Sequence, residues 1–370
     1  SVSRLAFSVL PYFGAQTSHA SALNRVSVII LNWNGRHLLE QCLPSVVEST
    51  YPDLEIILAD NASTDGGPDW VAAVYPSINI VRHPENWGFC RGNNEAVPHA
   101  TGDYIVFLNN DVEVDPDWLQ PLAERMDADE KVGAVQPKLL DRETRSRFEY
   151  AGGSGGFLDG LGYPFTRGRI FFTLEEDRGQ YDDPTRIFWA TGAAIMMRRS
   201  ALEVVGLLDE EFEFHMEEID LCWRLARAGY EIRVEPASAV YHVGGASLPR
   251  GSARKTYYNF RNSLLMLYKN IPRGHRLRVF TLRFATDFAA LLRILAAGQF
   301  GNAGAVLRAY RDHLRIVHRY RSTRPGRSDP GVLPPYRGSI VLDYFLLGRK
   351  RFSDLPARRF RLRDDRAGAE

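Results

Sequence analysis

Four short apolar segments, each ending in polar turn-forming residues, constrain the fold of this chain more than any other feature. These runs cover residues 25–31, 54–59, 79–82 and 104–108, and the intervals between them are long enough for helices. Strands that alternate with helices predict βαβ units and a mainly parallel sheet. The pattern therefore predicts an α/β fold, with a first helix over residues 37–49.

Polar and aromatic residues follow the carboxyl end of each predicted strand. Ligands bind at this edge of an open α/β sheet, so we expect Asn32, Trp33, Asp60, Asp65 and Asp111 to converge on one crevice. Turns also require Asn, Asp and Gly, and any one of these residues alone is as well explained as a loop or cap residue. Their joint occurrence at strand ends favours a binding site.

The cysteines and glycines argue against several common sites. Cys42, Cys90 and Cys222 are widely spaced and form no CxxC pair, which argues against a zinc ribbon or a disulfide framework and favours a reducing compartment. Residues 152–168 are glycine-rich but lack the GxGxxG spacing, and the chain has no GxxxxGK[ST] phosphate loop. We expect this segment to be a mobile loop that could serve as a lid.

Residues 254–327 are strongly basic, with 16 Lys and Arg against two acids. Residues 277–297 are rich in Leu, Phe and Ala, and a second helical stripe joins Val306, Tyr310, Leu314 and Val317. Basic amphipathic helices are typical of a membrane surface element. The alternative is that they pack on the rest of the chain or on a second copy, forming a homodimer. No recognition motif accompanies the charge, so nucleic acid is not an expected partner.

The remaining segments carry weaker signals. Residues 1–24 contain a short apolar stretch interrupted by Pro11, which argues against a signal peptide and favours an extension. No uninterrupted apolar stretch reaches ~20 residues, so a membrane-spanning helix is not expected.

A series of segments resembles the family-two glycosyltransferases of GT-A fold, most closely their bacterial rhamnosyltransferase and galactofuranosyltransferase branch. The central one, residues 107–118, is similar to that family's DXD segment, although Asn109 and Asn110 leave Asp111 as its single carboxylate at this point. The others occur in the family's order at 28–34, 60–65, 86–94, 102–105, 189–193, 217–224 and 242–247. The resemblance covers roughly residues 25–250 and implies a Rossmann-like, mainly parallel sheet.

The resemblance also implies a domain organisation and an activity. Residues 1–24 would be an N-terminal extension, 25–253 the GT-A catalytic domain, 254–327 a basic helical region and 328–370 a C-terminal tail. The activity would be inverting transfer of a sugar from dTDP-rhamnose or a UDP-sugar to a glycan or lipid-linked acceptor. We expect it to serve cell-surface polysaccharide synthesis at the cytoplasmic face of the inner membrane.

The resemblance implies which residues meet two chemical needs of the site, charge neutralisation and proton transfer. A diphosphate leaving group needs a hard cation, Mn²⁺ or Mg²⁺, and we expect Asp111 and His242 to hold it; a lone His is otherwise a hydrogen-bonded core residue. The attacking hydroxyl needs a base, for which Glu218 is expected before Glu217, and Asp220 should orient a neighbour. Both glutamates begin a helix, whose dipole should keep them ionised.

The resemblance implies two further sets of residues. The nucleotide-sugar set comprises Asn32, Trp33, Asp60, Asp65, Gly88, Asn93, Asn109 and Asn110. The acceptor set comprises Trp189, Thr191 and Gly192. Arg250, Arg254 and Lys255 could clamp the diphosphate, or they are solvated surface charges.

Two other functions remain as alternatives. A catalytically inactive nucleotide-sugar-binding scaffold subunit would explain Asn109 and Asn110. A nucleotidyltransferase would need a Gly-rich, Lys-bearing loop after the first strand, and residues 32–35 lack it.

Overall fold

The computed structural model describes residues 24–244, 251–321 and 332–361. The strands are β1 (Val26–Asn32), β2 (Leu54–Asp60), β3 (Asn79–Arg82), β4 (Tyr104–Asn109), β5 (Val112–Val114), β6 (Val132–Asp141), β7 (Gly156–Leu158), β8 (Pro164–Thr166), β9 (Arg169–Ile170), β10 (Thr173–Leu174), β11 (Thr185–Ile187), β12 (Ala194–Arg198) and β13 (Glu231–His242). The α-helices are α1 (Arg36–Val47), α2 (Gly67–Val74), α3 (Gly88–Ala96), α4 (Leu119–Ala128), α5 (Arg199–Val205), α6 (Glu217–Arg227), α7 (Ala253–Asn270), α8 (Arg273–Ala296), α9 (Phe300–Ile316) and α10 (Ile340–Phe345).

A nine-stranded sheet forms the centre of the protein. Its strand order is β11-β13-β6-β12-β4-β1-β2-β3, and β5 pairs with β13. The four predicted strands β1 to β4 pair in parallel, as expected. Strand β12 runs antiparallel to both β4 and β6, so the sheet is parallel on one side of β12 and mixed beyond it.

Both faces of the sheet are covered, which explains why its central strands are apolar without interruption. Successive residues of β1 point to opposite faces: Val28 and Ile30 pack with helices α1 and α4, whereas Ile29 packs with α3 and α6. The polar residues that end these strands therefore meet at one edge, between the two layers of helices.

The glycine-rich segment is not the expected mobile loop. Most of residues 152–170 are buried, and they contribute β7, β8 and β9 to a four-stranded antiparallel sheet. Its glycines allow close packing: a Cβ added at Gly156 would lie 2.1 Å from the Trp189 ring. The lid hypothesis for this segment is therefore wrong.

The C-terminal helices pack against the layers that cover the sheet. Lys269 and Asn270 of α7 bond to the buried Asp220 of α6, at 2.8 Å each. The predicted boundary at 253/254 coincides with the start of α7, and the division into domains stays a prediction. The predicted stripe on α9 is wrong at Leu314, which is exposed although Val306 is buried. None of the helices within the described ranges has the length and apolarity needed to cross a bilayer.

Candidate active site

The loops after β1, β2 and β4 are bonded to one another through Asn side chains. The Asn110 Nδ2 donates to Asn32 Oδ1 at 2.7 Å, and the Asn32 Nδ2 donates to Ser63 Oγ at 3.2 Å. Asn34 accepts the backbone N–H of Thr64 at 2.8 Å. The structure thus brings three strand ends together, as the sequence predicted.

Asp60 and Asp65 shape these loops through backbone hydrogen bonds. Both carboxylate oxygens of Asp60 accept the N–H of Ser63, at 3.3 and 3.2 Å. Those of Asp65 accept the N–H groups of Arg36 and Gly67, at 2.8 and 3.0 Å, in the first turns of α1 and α2. Asp65 therefore acts as a loop-positioning residue in this structure, and direct nucleotide contacts of either Asp stay a prediction.

Gly88 is the first residue of α3, and Asn93 lies in the second turn of the same helix. Gly88 has φ +72° and accepts the Asn61 Nδ2 at 3.0 Å. Asn93 is buried and donates to Phe89 O within its own helix at 2.9 Å. These contacts position the helix beside the strand-end loops.

Trp33 exposes an aromatic ring at the carboxyl edge of the parallel strands. Its residue is 56% exposed at the carboxyl end of β1. A planar indole in this place offers a stacking face to a nucleotide base. Asn109, the last residue of β4, is half-buried, and its backbone N–H donates to Ala193 O at 2.9 Å.

Asp111 and His242 lie side by side because β5 pairs with β13 in a register that places His242 opposite Val112. His242 Nε2 is 3.1 Å from Asp111 Oδ1, and its Nδ1 is 3.4 Å from Glu149 Oε2. All three side chains are buried. Burial alone would lower the pKa of His242, but the carboxylates of Asp111 and Glu149 raise it to about 10. Burial would raise the pKa of Asp111, and His242 outweighs it, so that pKa is lowered.

Once the His242 ring loses its proton, the Asp111–His242 pair has a donor set and spacing that suit a hard cation. Cis donors on a six-coordinate cation with bonds of ~2.1 Å stand about 3 Å apart, close to the observed 3.1 Å. Glu149 contacts the opposite ring nitrogen, the position from which a carboxylate orients a metal-binding imidazole. Among the described residues no group of three His, Cys, Asp or Glu is arranged as a full metal site. Diphosphate oxygens and water would have to complete the coordination.

Glu217 and Glu218 begin α6 next to Gly192. A Cβ added at Gly192 would lie 3.8 Å from the Glu218 Cβ and 3.5 Å from the Phe89 ring. The adjacent Ala193 carbonyl accepts the Asn109 N–H, two residues before Asp111. This connection joins the glutamates to the Asp111 side of the crevice.

The pKa values of the two glutamates are raised, whereas the helix dipole by itself favours their ionised forms. Burial raises the pKa of Glu218 to about 7, against backbone N–H groups at the helix start that lower it. Burial and the neighbouring Glu218 carboxylate raise the pKa of Glu217 well above its ordinary value. The Oε2 atoms of both are buried without a hydrogen-bond partner. Desolvation therefore outweighs the dipole, and Glu218 is poised for proton transfer near neutral pH.

Backbone strain concentrates around the same crevice. In the described ranges six non-glycine residues have positive φ: Asn34, Ala62, Phe171, Glu213, His215 and Met216. Two of them lie in strand-end loops and three directly precede α6. Such conformations cost of order 1–3 kcal/mol each and persist only where surrounding contacts enforce them.

Helix α7 supplies the contacts that enforce the loop before α6. The buried Asn262 Nδ2 lies within hydrogen-bond distance of the carbonyls of Phe212, Phe214 and His215, at 2.7, 2.7 and 2.9 Å. The adjacent Arg261 donates to Glu211 O at 2.7 Å. Asn262 thereby holds the segment that orients Glu217 and Glu218.

The expected acceptor residues differ in their accessibility. Trp189 is 2% exposed, and its Nε1 donates to Phe157 O at 2.9 Å. Its ring packs inside the protein, so the expected stacking of a sugar on Trp189 has no free ring face in this structure. Thr191 is also buried and bonds to Gln136 at 3.0 Å. Only Gly192 of this set is half-buried and next to Glu218.

Two of the three basic residues that were expected to clamp the diphosphate, Arg254 and Lys255, are described by the structure. Arg250 lies outside the described residues. The Arg254 guanidinium lies 5.8 Å from the rings of both Phe214 and Tyr258, and Lys255 Nζ lies 5.7 Å from the Tyr150 ring. Phe214 belongs to the strained loop, so Arg254 borders the α6 side of the crevice.

Comparison with known proteins identifies the family that these strands and loops resemble. Residues 27–206 match the family model described as Glycosyl transferase family 2. This chain carries a family-two glycosyltransferase domain. The role of the domain is therefore transfer from a sugar nucleotide. Glu217, Glu218 and His242 lie beyond the matched residues, and their roles rest on the geometry above.

One curated relative and two solved structures illustrate the similarity. The chain is 25% identical over 255 residues to the N-acetylglucosaminyl-diphospho-decaprenol L-rhamnosyltransferase of Mycobacterium tuberculosis, covering 65% of this chain and 83% of the relative. S. aureus TarS 1–349 with UDP-GlcNAc aligns at TM-score 0.53 and 17% identity, covering 81% of this chain and 84% of that one. GalNAc-T7 with UDP, GalNAc and Mn²⁺ aligns at TM-score 0.50 and 18% identity, covering 66% and 52%. The predicted GT-A fold is confirmed.

The glycosyltransferase domain also uses residues that the sequence did not indicate. Glu149 contacts His242, Gln136 bonds to Thr191, and Asn262 holds the loop before α6. None of the three lies in a motif, because each acts only through a contact with a residue distant in sequence. A single sequence carries no signal that would have found them.

Proposed function

We propose that this chain is an inverting, metal-dependent glycosyltransferase that uses Glu218 as its catalytic base. The observation that carries the proposal is the contrast between two carboxylates, one in the turn after β4 and one in the first turn of α6. The pKa of Asp111 is lowered beside His242, whereas the pKa of Glu218 is raised to about 7. Two acids with opposite shifts suit two roles, one binding a cation and one moving a proton.

The strand-end loops would bind the nucleotide sugar. Trp33 offers its exposed face to the base, and Asn32, Asp60 and Asp65 hold the loops around it. Asp111 and His242 would hold Mn²⁺ or Mg²⁺ against the diphosphate, and the cation would neutralise the charge that develops as the glycosidic bond breaks. GalNAc-T7 was solved with Mn²⁺, which agrees with this choice of metal.

Glu218 would take the proton of the acceptor hydroxyl. The hydroxyl oxygen then attacks the anomeric carbon, and the bond from that carbon to the diphosphate oxygen breaks with its electron pair staying on the diphosphate. One displacement inverts the configuration. Glu217 is the more buried of the pair, and its protonated form beside Glu218 avoids two adjacent charges.

We also propose a glycan or lipid-linked acceptor, cell-surface polysaccharide synthesis, and peripheral contact at the cytoplasmic face of the inner membrane. The name of the mycobacterial relative, a diphospho-decaprenol rhamnosyltransferase, supports a rhamnose donor and a lipid-linked acceptor. A homodimer stays a separate prediction.

The test measures nucleoside diphosphate release from dTDP-rhamnose, UDP-galactofuranose and UDP-hexoses, with lipid extracts as acceptors. One donor should give release that needs Mn²⁺ or Mg²⁺ and stops on chelation, and mass spectrometry should show the acceptor gaining one sugar. Binding of a donor without any turnover would support the inactive scaffold instead. Asn109 and Asn110 favour that alternative, although the Asn110 amide is engaged with Asn32.

A further inference from the structure

Helix α8 has its polar side chains inside and its apolar side chains outside. Arg283 and Asp287 face the protein and are 3% and 1% exposed. Leu277, Phe284 and Phe288 face outward and are 83%, 59% and 50% exposed. A helix on the surface of a water-soluble domain ordinarily shows the opposite arrangement.

The inner contacts determine this orientation. Arg283 Nε bonds to the Asp287 carboxylate at 3.0 Å, and Arg283 Nη2 donates to Ser263 Oγ of α7 at 2.8 Å. The hydroxyls of Tyr163 and Tyr310 donate to Asp287 at 2.6 and 2.8 Å. Rotating α8 to bury its apolar side would leave a buried ion pair without its partners, which is strongly unfavourable.

The outward apolar residues of α8 lie on one side of the helix. Leu277, Phe284, Phe288, Leu292 and Leu295 recur at helical spacing on one side of α8, over 18 residues or about 27 Å. The Arg293 guanidinium lies 5.1 Å from the Phe345 ring at the end of α10. Phe345 and the next residues, Leu346 and Leu347, are exposed as well. We call these eight apolar residues the outer apolar surface.

The exposed charged side chains of α8 are all basic, although the exposed Asp354 lies beside Lys350 and Arg351 after α10. Between residues 273 and 311 the only acid is Asp287, which is buried, whereas Arg273, Arg278 and Arg293 are exposed. Lys350 and Arg351 follow α10 and are exposed too. Two copies meeting through this surface by a twofold axis would bring arginines near arginines. An anionic lipid headgroup layer complements both the charge and the apolar side chains.

We propose that the outer apolar surface docks the chain on an anionic lipid bilayer, with α8 lying in the plane of the interface. This inference names the surface for the peripheral membrane contact proposed above, and it does not require sugar transfer. Phe284, Phe288 and Leu292 enter the apolar region, while Arg273, Arg278 and Arg293 contact lipid phosphates.

The experiment is flotation of the full chain with vesicles of phosphatidylcholine alone or mixed with phosphatidylglycerol. Wild type should float with the anionic vesicles and far less with the neutral ones. The double variant Phe284→Glu/Phe288→Glu should lose roughly tenfold or more of its vesicle binding. Val204→Glu is the matched control, because Val204 is an exposed apolar residue of α5 outside this surface, and it should bind like wild type.

A second pair of substitutions tests the charges. Arg273→Gln/Arg278→Gln should weaken binding to anionic vesicles about tenfold and leave the weak binding to neutral vesicles unchanged. Far-ultraviolet circular dichroism and thermal melting identify any variant that fails to fold. Wild type that binds neither vesicle would overturn the proposal. So would a wild-type dimer that ignores vesicles and becomes monomeric on Phe284→Glu/Phe288→Glu, which assigns the surface to a second copy.

Discussion

Asp111 lies in the turn after β4 and Glu218 in the first turn of α6, and the surroundings of these two carboxylates differ. Asp111 lies beside His242 and its pKa is lowered, whereas Glu218 has a buried unpartnered oxygen and a pKa raised to about 7. The strand-end side of the crevice is closed by hydrogen bonds among its own loops. The α6 side is strained and is held from outside by α7.

This difference shows how one crevice can serve two kinds of chemistry. A cation site needs a permanent anion, and here the protonated His242 ring supplies the positive charge beside Asp111, so this ring must release its proton before it can bind a metal ion. A base needs a carboxylate whose two protonation states are close in free energy, and burial without a counter-charge provides that. Substitutions on either side of the crevice should therefore have different effects on kcat and on donor binding.

The largest effect is expected for Glu218→Gln. The amide has nearly the same shape but cannot accept the proton, so kcat should fall about 10³-fold. Donor affinity, measured by calorimetry, should stay within about twofold if Glu218 acts only on the acceptor hydroxyl. Glu217→Gln is the matched control. A fully active Glu218→Gln enzyme would move the base to Glu217.

Asp111→Asn should act on the other side of the crevice. Loss of the only carboxylate beside His242 on this loop should weaken metal-dependent donor binding by roughly 100-fold. Calorimetric titration of donor with and without Mn²⁺ measures this effect. The contrast between the two sides would be lost if Asp111→Asn lowered kcat but left donor and metal affinity unchanged.

The pH profile should report the raised pKa of Glu218. Its base form is lost as pH falls, so kcat should drop about tenfold for each pH unit below 7. Rates from pH 5 to 8 with saturating donor and metal test this expectation. A profile that stays flat down to pH 5 would show that no group with a pKa near 7 acts as the base.

The raised pKa of Glu218 also predicts that the free energy of unfolding falls as pH rises, whereas the rate should increase. The folded-state pKa of about 7 lies above the unfolded value of ~4.3. The stability linked to the protonated group is fully present below ~4.3 and is lost as pH rises through about 7. Glu218→Gln should therefore gain free energy of unfolding relative to wild type at pH 8 but not at pH 4. Denaturant titrations at the two pH values provide the comparison.

Asn262→Leu should loosen the α6 side without touching the donor loops. The strained carbonyls of residues 212–215 lose their shared donor, so kcat should fall roughly tenfold, with the donor KM unchanged. Asn302→Leu, at an Asn of α9 whose Nδ2 bonds Gly251 O at 3.1 Å, is the control. Equal changes in kcat and donor KM would indicate a general loss of structure instead.

Trp33→Ala should have the smallest effect. Removing an exposed stacking face should raise the donor KM about threefold to tenfold while kcat stays the same. Trp33→Phe should restore most of the affinity, which separates stacking from a structural role. An unchanged donor KM in Trp33→Ala would show that the nucleotide base of the donor does not stack on Trp33.

The pattern of apolar runs and polar strand ends was enough to predict β1 to β4, their parallel pairing and the meeting of their loops. Period and local composition carry that information, because every residue of a buried strand must be apolar and its end must turn. The same local rules failed for residues 152–168. Their glycines provide room for Trp189 and neighbouring side chains rather than mobility, and only packing reveals that.

By itself the sequence determined the α/β architecture, the order of the loops and the residue types that could bind a cation or move a proton. The tertiary structure alone decided that Glu149 lies beside His242, that Asn262 holds the loop before α6, and that α8 presents its apolar side to the exterior. The physical reason is that protonation, strain and exposure depend on which distant side chains share a space. The residues next to a position in the sequence do not indicate which distant side chains will contact it.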